Sequence, residues 1–532
     1  MKRNARAPRL PVAGALALLL ALAAACAPAA PRGPAAAGAA GAASGGGSDA
    51  SGPGARPSGT GPGRFTVVLV SPLTNHNPYS QSGGDITIAW QSIFQGLVRA
   101  TSERTYEPLV AERWETPDPT TWRFHLRPGV RFSDGSPLTA ADVKHSLERA
   151  LNDPDSTRRS SISTVESAAV VDDLTVDVTT KVPNATLLGQ ISTIPITSKA
   201  LYDRVGKEAA DRQPVSAGPY VLQELVPDQR MVMRKNPYYW HELPDAPDEV
   251  MIRWIKEPMV ALTALLSGEV DMTAPLPPNL TPQLTGSVRA MQAPSGFLYF
   301  LGLGAVGPLT SKPVRQAINY AIDKDAIISG ILKGNAQRAD VPLINTSIGY
   351  APDVTPRYSY DPARARQLLA QAGYPDGFPM EIYHPVGRFT NDVDIASAIA
   401  AQLGQVGIQV TLKPTETSTF LTQSVAGAYP AFLYGAGAID EPTRYLFQFF
   451  HGSAKALGGW RDPEIDRLLE AQIAEFDEAK RNALLRQLQS ALNDEAPAVW
   501  LLSFTNTIGI SNRWEWPRQH GSTIYFDTIR AR

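Results

Sequence analysis

Residues able to carry covalent chemistry are few in this chain, and their spacing does not suit it. The 532 residues include one cysteine, Cys26, and seven histidines: His76, His125, His145, His241, His384, His451 and His520. A lone thiol excludes an intrachain disulfide and a thiolate zinc site. The scattered histidines form no HExxH pair, and neither a nucleophile elbow nor a phosphate-cradling loop is present. Gly435-Ala-Gly437 is an isolated GxG, and Asn184-Ala-Thr186 is an isolated glycosylation-type triplet. No catalytic residue, metal ligand or cofactor site follows from these patterns.

Cys26 has its own context. Lys2, Arg3, Arg6 and Arg9 precede an Ala/Leu/Val run from Val12 to Ala24, and Ala23-Ala24-Ala25 leads into the cysteine. The run is too short to span a bilayer and has the layout of a signal peptide over 1–25. Leu22-Ala-Ala-Ala25-Cys26 resembles a bacterial lipobox, with Ala23 where the pattern has Leu, so Cys26 is the expected lipid-attachment residue. Residues 26–63 are Ala, Gly, Ser and Pro with almost no large apolar side chains, a composition expected to stay disordered as a tether. Such a tether would reach about 35 Å. Cleavage before Cys26 would remove 25 of 532 residues and four cations from a formal charge of −2, leaving 507 residues at −6. That balance argues against nucleic acid as a partner. No later apolar run is long enough to cross a bilayer, so passage of anything through a membrane needs another polypeptide.

The body reads as mixed α and β, too long for a single small core. Trp122-Arg-Phe124-His-Leu126 alternates like a half-buried strand, and Asp134-Gly135 marks a turn. Thr139-Ala-Ala-Asp142 forms a capping box before Val143, Leu147 and Leu151. Val170 to Val178, broken by Asp172-Asp173, predicts a hairpin. Farther on, Pro313 opens a helix with Val314, Ile318, Ala321 and Ile322 on one face. Asp361-Pro362 and Asp462-Pro463 are N-cap and first-turn pairs, and Gly373 closes the first of these helices. Ile395, Ile399, Leu403 and Val406, then Gly407, then Ile408, Val410 and Leu412 predict a helix-to-strand unit of an α/β lobe. Leu484, Leu488 and Leu492 suggest a further helix.

An ordered set of blocks adds a resemblance. The stretch Thr121-Trp-Arg-Phe-His-Leu-Arg-Pro-Gly-Val-Arg-Phe-Ser-Asp-Gly-Ser-Pro-Leu-Thr-Ala-Ala-Asp-Val-Lys-His-Ser-Leu-Glu-Arg149 resembles the signature of family 5 extracytoplasmic solute-binding proteins, the oligopeptide- and dipeptide-binding components of ABC importers. Ser216-Ala-Gly-Pro-Tyr220, Arg234-Lys-Asn-Pro-Tyr-Tyr-Trp240, Ser267-Gly-Glu-Val-Asp271, Val314-Arg-Gln-Ala-Ile-Asn-Tyr-Ala-Ile-Asp323 and Tyr360-Asp-Pro-Ala-Arg364 follow in the family's order. Ile93-Phe-Gln-Gly-Leu-Val98 resembles the family's first helix.

The resemblance implies an α/β, type II periplasmic-binding-protein-like fold, with two main lobes on a hinge and an inserted β-rich lobe. Lobe I would comprise 64–100, 187–292 and 503–532, lobe II 101–186 and lobe III 293–502. Hinge crossings would fall near Met291–Phe300 and Val499–Phe504. The implied protein is a monomer without cofactor or enzymatic activity. It would be lipid-anchored outside the cytoplasmic membrane and would close on a peptide or similar polar solute. Its partners would be an ABC permease and, through it, a cytoplasmic ATPase. Peptide binders of the family pair the peptide's amino group with an Asp in lobe III. In Leu433-Tyr-Gly-Ala-Gly-Ala-Ile-Asp-Glu-Pro442 that position holds Ala438 and the family's Trp position holds Gly435. A blocked peptide, an oligosaccharide or another polar solute is the alternative ligand; a cell-surface hydrolase or a signalling receptor is the alternative class. Expected cleft residues are Asn75, Asn77 and Tyr79 after the first strand, Tyr299 at a crossing, Arg388 and Phe389 in a loop, and Tyr434, Asp440 and Arg444 in the specificity segment. Arg388 would pair a carboxylate bidentately, and Arg444 is spaced to pair with Glu441. Tyr239 and Trp240 are expected in packing.

Overall fold

The computed structural model describes residues 63–81, 83–101, 105–437, 441–517 and 523–532. Cys26, the leader, the tether up to residue 62, Ala438 and Asp440 lie outside them.

Local signals in the sequence become elements for the reasons expected of them. Thr121–Leu126 alternates half-buried and buried, and pairs antiparallel with Thr175–Thr180 in a sheet completed by Ala111–Asp118 and Val165–Asp172. Helix Ala140–Asn152 begins where the Asp142 carboxylate accepts the Thr139 backbone N–H at 2.9 Å. Its Val143 and Leu147 are buried in this sheet's core. Asp361 accepts the Arg364 N–H at 2.8 Å to open helix Pro362–Gln371. Asp462 does the same for Glu464 and Ile465 ahead of Pro463–Ala474. In helix Glu478–Glu495, Leu485 rather than Leu484 shares full burial with Leu488 and Leu492. The first helix is Gly84–Gln91, not 93–98; residues 93–98 instead lead into strand Val98–Ala100. Gly96 among Ile93, Phe94, Leu97 and Val98, all four buried, suits a buried turn better than a helical face with one side to solvent.

The largest sheet has eleven strands and carries the rest. From one edge the order is Gln409–Thr415, Pro379–Pro385, Ala431–Ala436, Val288–Leu303, Ala498–Ser511, Met272–Leu276, Arg64–Leu69, Glu249–Trp254, Arg230–Lys235 and Tyr220–Val226. Ala336–Arg338 pairs off this path with Ala498–Ser511. The strands near the middle are apolar on both faces, as sheets covered on both sides require; residues 298–303 are all buried. Among the described residues, no helix is long and apolar enough to cross a membrane.

The two long strands of the middle differ from the others. Residues 298–303 of the first pair with 436–431 on their outer side, whereas 288–294 pair only with the second long strand. The second pairs with Ala336–Arg338 through 504–502 and with Met272–Leu276 through 510–507. Around residue 505 each long strand therefore has mainly the other for support. There the ladder slips: Pro294 faces Thr505 but Leu298 faces Ser503, and a second shift lies between Tyr299 and Phe300. Gly296, at φ 70°, supplies the left-handed turn that this bulge needs.

Candidate solute-binding site

Aromatic side chains collect beside the bulge. Tyr299 is fully buried against Phe389, at 5.2 Å between ring centroids, and Phe504, at 5.5 Å. Its hydroxyl has no hydrogen-bond partner among the described residues. Burial, and then the nearby Asp392, raises its pKa far above the usual phenol, so it stays a neutral donor. Phe389 is held by its loop. The buried Asp392 carboxylate accepts N–H bonds from Gly387, Arg388 and Phe389 at 3.2, 3.0 and 3.2 Å. That fixes the chain just before helix Asp392–Gly404. The Arg388 side chain is exposed and lies 5.4 Å from the Phe389 ring centroid.

Gly435 and Gly437 belong to this packing. A Cβ on Gly435 would meet Phe389 at 2.4 Å, and one on Gly437 would meet Phe297 at 2.4 Å. The isolated GxG thus leaves room for two phenyl rings on the edge of strand Ala431–Ala436. Tyr434 belongs to the core on the opposite face of the sheet, against Phe449 at 4.9 Å and Phe300 at 5.9 Å. Burial raises its pKa, while Arg388 and Arg444 pull the other way. Arg444 is exposed on helix Thr443–Phe450. It does not pair with Glu441. That carboxylate takes Arg481 at 2.8 and 3.0 Å and the Thr443 hydroxyl at 2.7 Å, because Arg481 projects from a packed helix onto a half-buried acid.

Asn75, Asn77 and Tyr79 lie elsewhere and are engaged in local structure. The Asn75 side-chain oxygen accepts the Asn77 N–H at 2.9 Å, and that of Asn77 accepts the Tyr79 N–H at 2.9 Å. Tyr79 is fully buried, under the Arg149 guanidinium at 4.5 Å from the ring centroid. It ties two walls together: its hydroxyl donates to the Pro195 carbonyl at 2.7 Å, and its carbonyl accepts the Thr157 N–H at 2.9 Å.

Between those walls and helix Gly84–Gln91 lies a pocket with room for about one water, lined by Trp90, Gln91, Phe94, Arg158, Ser192 and Pro195 among others. Arg158 is only 6 % exposed, and no carboxylate pairs with it among the described residues. Burial lowers its pKa, with only Tyr79 opposing. No local signal marks this residue in the sequence. Arg158 and Arg159 sit side by side in a polar turn; the first is buried, while the second is exposed and donates to the Leu151 carbonyl at 2.7 Å.

Tyr239 and Trp240 pack as expected. The Trp240 Nε1–H donates to Gln95 at 3.0 Å, and Arg127 covers its indole at 4.3 Å. No cluster of three His, Cys, Asp or Glu able to hold a metal ion occurs among the described residues.

A sheet whose two ends share only a pair of strands, slipped at their middle, is the architecture of a hinged binding protein. Residues 105–456 match the model of the bacterial extracellular solute-binding proteins, family 5 (middle region). The chain belongs to that family. Over 462 residues it is 27% identical to the glutathione-binding protein GsiB of Pectobacterium atrosepticum, covering 82% of this chain and 87% of that one. Over 428 residues it is 28% identical to the dipeptide-binding protein of Escherichia coli, covering 74% and 80%. The periplasmic binding protein DppA of Helicobacter pylori, solved with the peptide STSA, shares the fold with a TM-score of 0.71 at 24% identity, over 88% of this chain and 98% of that one. The fold is the type II periplasmic-binding-protein-like one, and the family's members are binding proteins, not enzymes.

Proposed function

We propose that this protein is the extracytoplasmic solute-binding component of an ABC importer, capturing a peptide or similar polar solute by hinge closure and delivering it to a membrane permease. The observation that carries the reading is the slipped ladder at residues 294–298 and 503–505, where two strands alone join the ends of the large sheet. Lobe I is taken as 64–100, 187–292 and 503–532, lobe II as 101–186 and lobe III as 293–502. A solute touching both sides of the crossing favours the closed form by its differential affinity for that form, and no bond need be made or broken. A cytoplasmic ATPase acting through the permease supplies the energy. A lipid on Cys26 keeps the monomer near its permease.

The relatives' names favour a peptide. Ala438, where peptide binders place an amino-pairing Asp, favours a second reading: a solute without a free ammonium, such as a blocked peptide or an oligosaccharide. An unpaired buried ammonium would be costly. Calorimetry with free peptides, N-acetylated peptides and oligosaccharides separates these readings. Small-angle scattering of the same mixtures is expected to show a smaller radius of gyration with the true ligand. An unchanged radius with every bound solute would remove hinge closure. Incorporation of labelled fatty acid, abolished by Cys26→Ser, is the expected mark of the anchor.

A further inference from the structure

We infer that Phe476 is a positioning residue for solute capture: it latches lobe III to lobe II and so sets how much of the protein stands closed before solute arrives. The inference rests on the solute-binding reading and the lobe limits above, and it gives the inserted lobe a part in binding.

Phe476 lies between helices Pro463–Ala474 and Glu478–Glu495 of lobe III, yet its half-buried ring packs on the core of lobe II. It meets Trp122 at 5.7 Å between ring centroids. Both sides of the contact are held in place. Asp477, next in the chain, accepts the Lys480 N–H at 3.0 Å to open the second helix, and its own N–H donates to the Glu475 carboxylate at 2.9 Å. Trp122 donates its Nε1–H to the Asn184 carbonyl at 2.9 Å. A corner between two helices thus presents the ring, and a fixed indole receives it.

Two further contacts flank the ring. The Ala185 N–H donates to the Ile473 carbonyl at 2.6 Å. That carbonyl is in the last turn of its helix, where no intrahelical N–H is left to satisfy it. Glu441 lies against Gly189, where a Cβ would meet the Glu441 Cβ and Cγ at 3.0 Å. None of these residues belongs to the long strands that cross the hinge. When the lobes part, Ala185 and Ile473 exchange one polar partner for water at little net cost. The ring returns to water outright, so it carries most of the preference for the closed form. Apparent affinity is the intrinsic affinity scaled by the closed fraction, so the latch strengthens capture through the lobes it holds together.

The test follows amide exchange in the mature chain, refolded from denaturant to remove carried-over solute, for wild type, Phe476→Ala and Phe476→Leu. Ala185 reports the latch, because the partner of its N–H lies in the other lobe, and strand Thr121–Leu126 reports lobe II itself. Phe476→Ala is expected to lose about fivefold in protection at Ala185, from half the transfer free energy of a buried Phe. Thr121–Leu126 should be unchanged, and Phe476→Leu should keep most of the protection. Small-angle scattering of the same samples should show a larger radius of gyration for Phe476→Ala. The inference is overturned if Ala185 stays equally protected in Phe476→Ala. It is also overturned if Thr121–Leu126 loses protection in step, since the ring would then belong to the fold of lobe II and not to a latch. Either result leaves the importer reading standing. A wild type with Ala185 protected that binds no free peptide, N-acetylated peptide or oligosaccharide would remove that reading, and the role in capture with it.

Discussion

At the scale of single residues, two groups have consequences that can be measured. His145 packs against Tyr202 at 5.2 Å between centroids, and its Nε2 is buried without a hydrogen-bond partner among the described residues. Burial, and then Arg149, lower its pKa to about 4, with Asp203 opposing and Lys199 assisting weakly. The unfolded chain, with a histidine near the usual 6.5, takes up a proton first as pH falls. His145 therefore costs stability between about pH 6.5 and 4, and contributes no pH dependence above that window. Urea titrations across this range are expected to show a shallower loss for His145→Asn than for wild type. Arg481 is the second case. It joins Glu441, Thr443 and Gln472 in a buried network, and Arg481→Met strands the Glu441 carboxylate. A loss of about 3 kcal/mol in urea denaturation is expected, partly recovered by adding Glu441→Gln. At this scale the sequence was least legible. Arg158 and Arg159 have identical side chains and adjacent positions, and only the packing of distant segments buries one of them. Arg444 and Glu441 have suitable spacing, yet a partner forty residues away takes the acid.

At the scale of elements, much could be read in advance, because caps and apolar periodicities are local. Thr139 with Asp142, Asp361 with Pro362 and Asp462 with Pro463 each open the helix they announce. The bulge was different. Pro294, Ser295 and Gly296 resemble any turn, and only pairing with a strand two hundred residues later makes them a slipped ladder. Gly435 and Gly437 were similarly opaque, since the rings that need their missing side chains come from other elements. Gly435→Ala should push Phe389 off the strand and destabilise by about 1–3 kcal/mol, the usual range for overpacking. Phe389→Leu in the same chain should restore part of that loss. Thermal unfolding of the three variants checks it; equal losses in the single and double variants would separate the glycine from the ring.

At the scale of the molecule, the order of the large sheet follows space rather than sequence. Its second long strand, Ala498–Ser511, lies between Val288–Leu303 and Met272–Leu276, far from either edge. The family blocks announced the fold class before any contact was known, but not which strand would stand in the middle. Removing residues 498–532 takes out that middle strand and should abolish cooperative unfolding in a circular-dichroism melt. Removing only 512–532 should leave a cooperative, less stable protein, because Trp514 and Phe526 pack against Phe65 from outside the ladder. The same order bears on biogenesis. A chain made from its N-terminus holds both flanks of its main sheet without the strand that joins them until residue 511 has emerged. Nearly the whole polypeptide thus passes the ribosome before its principal ladder can close.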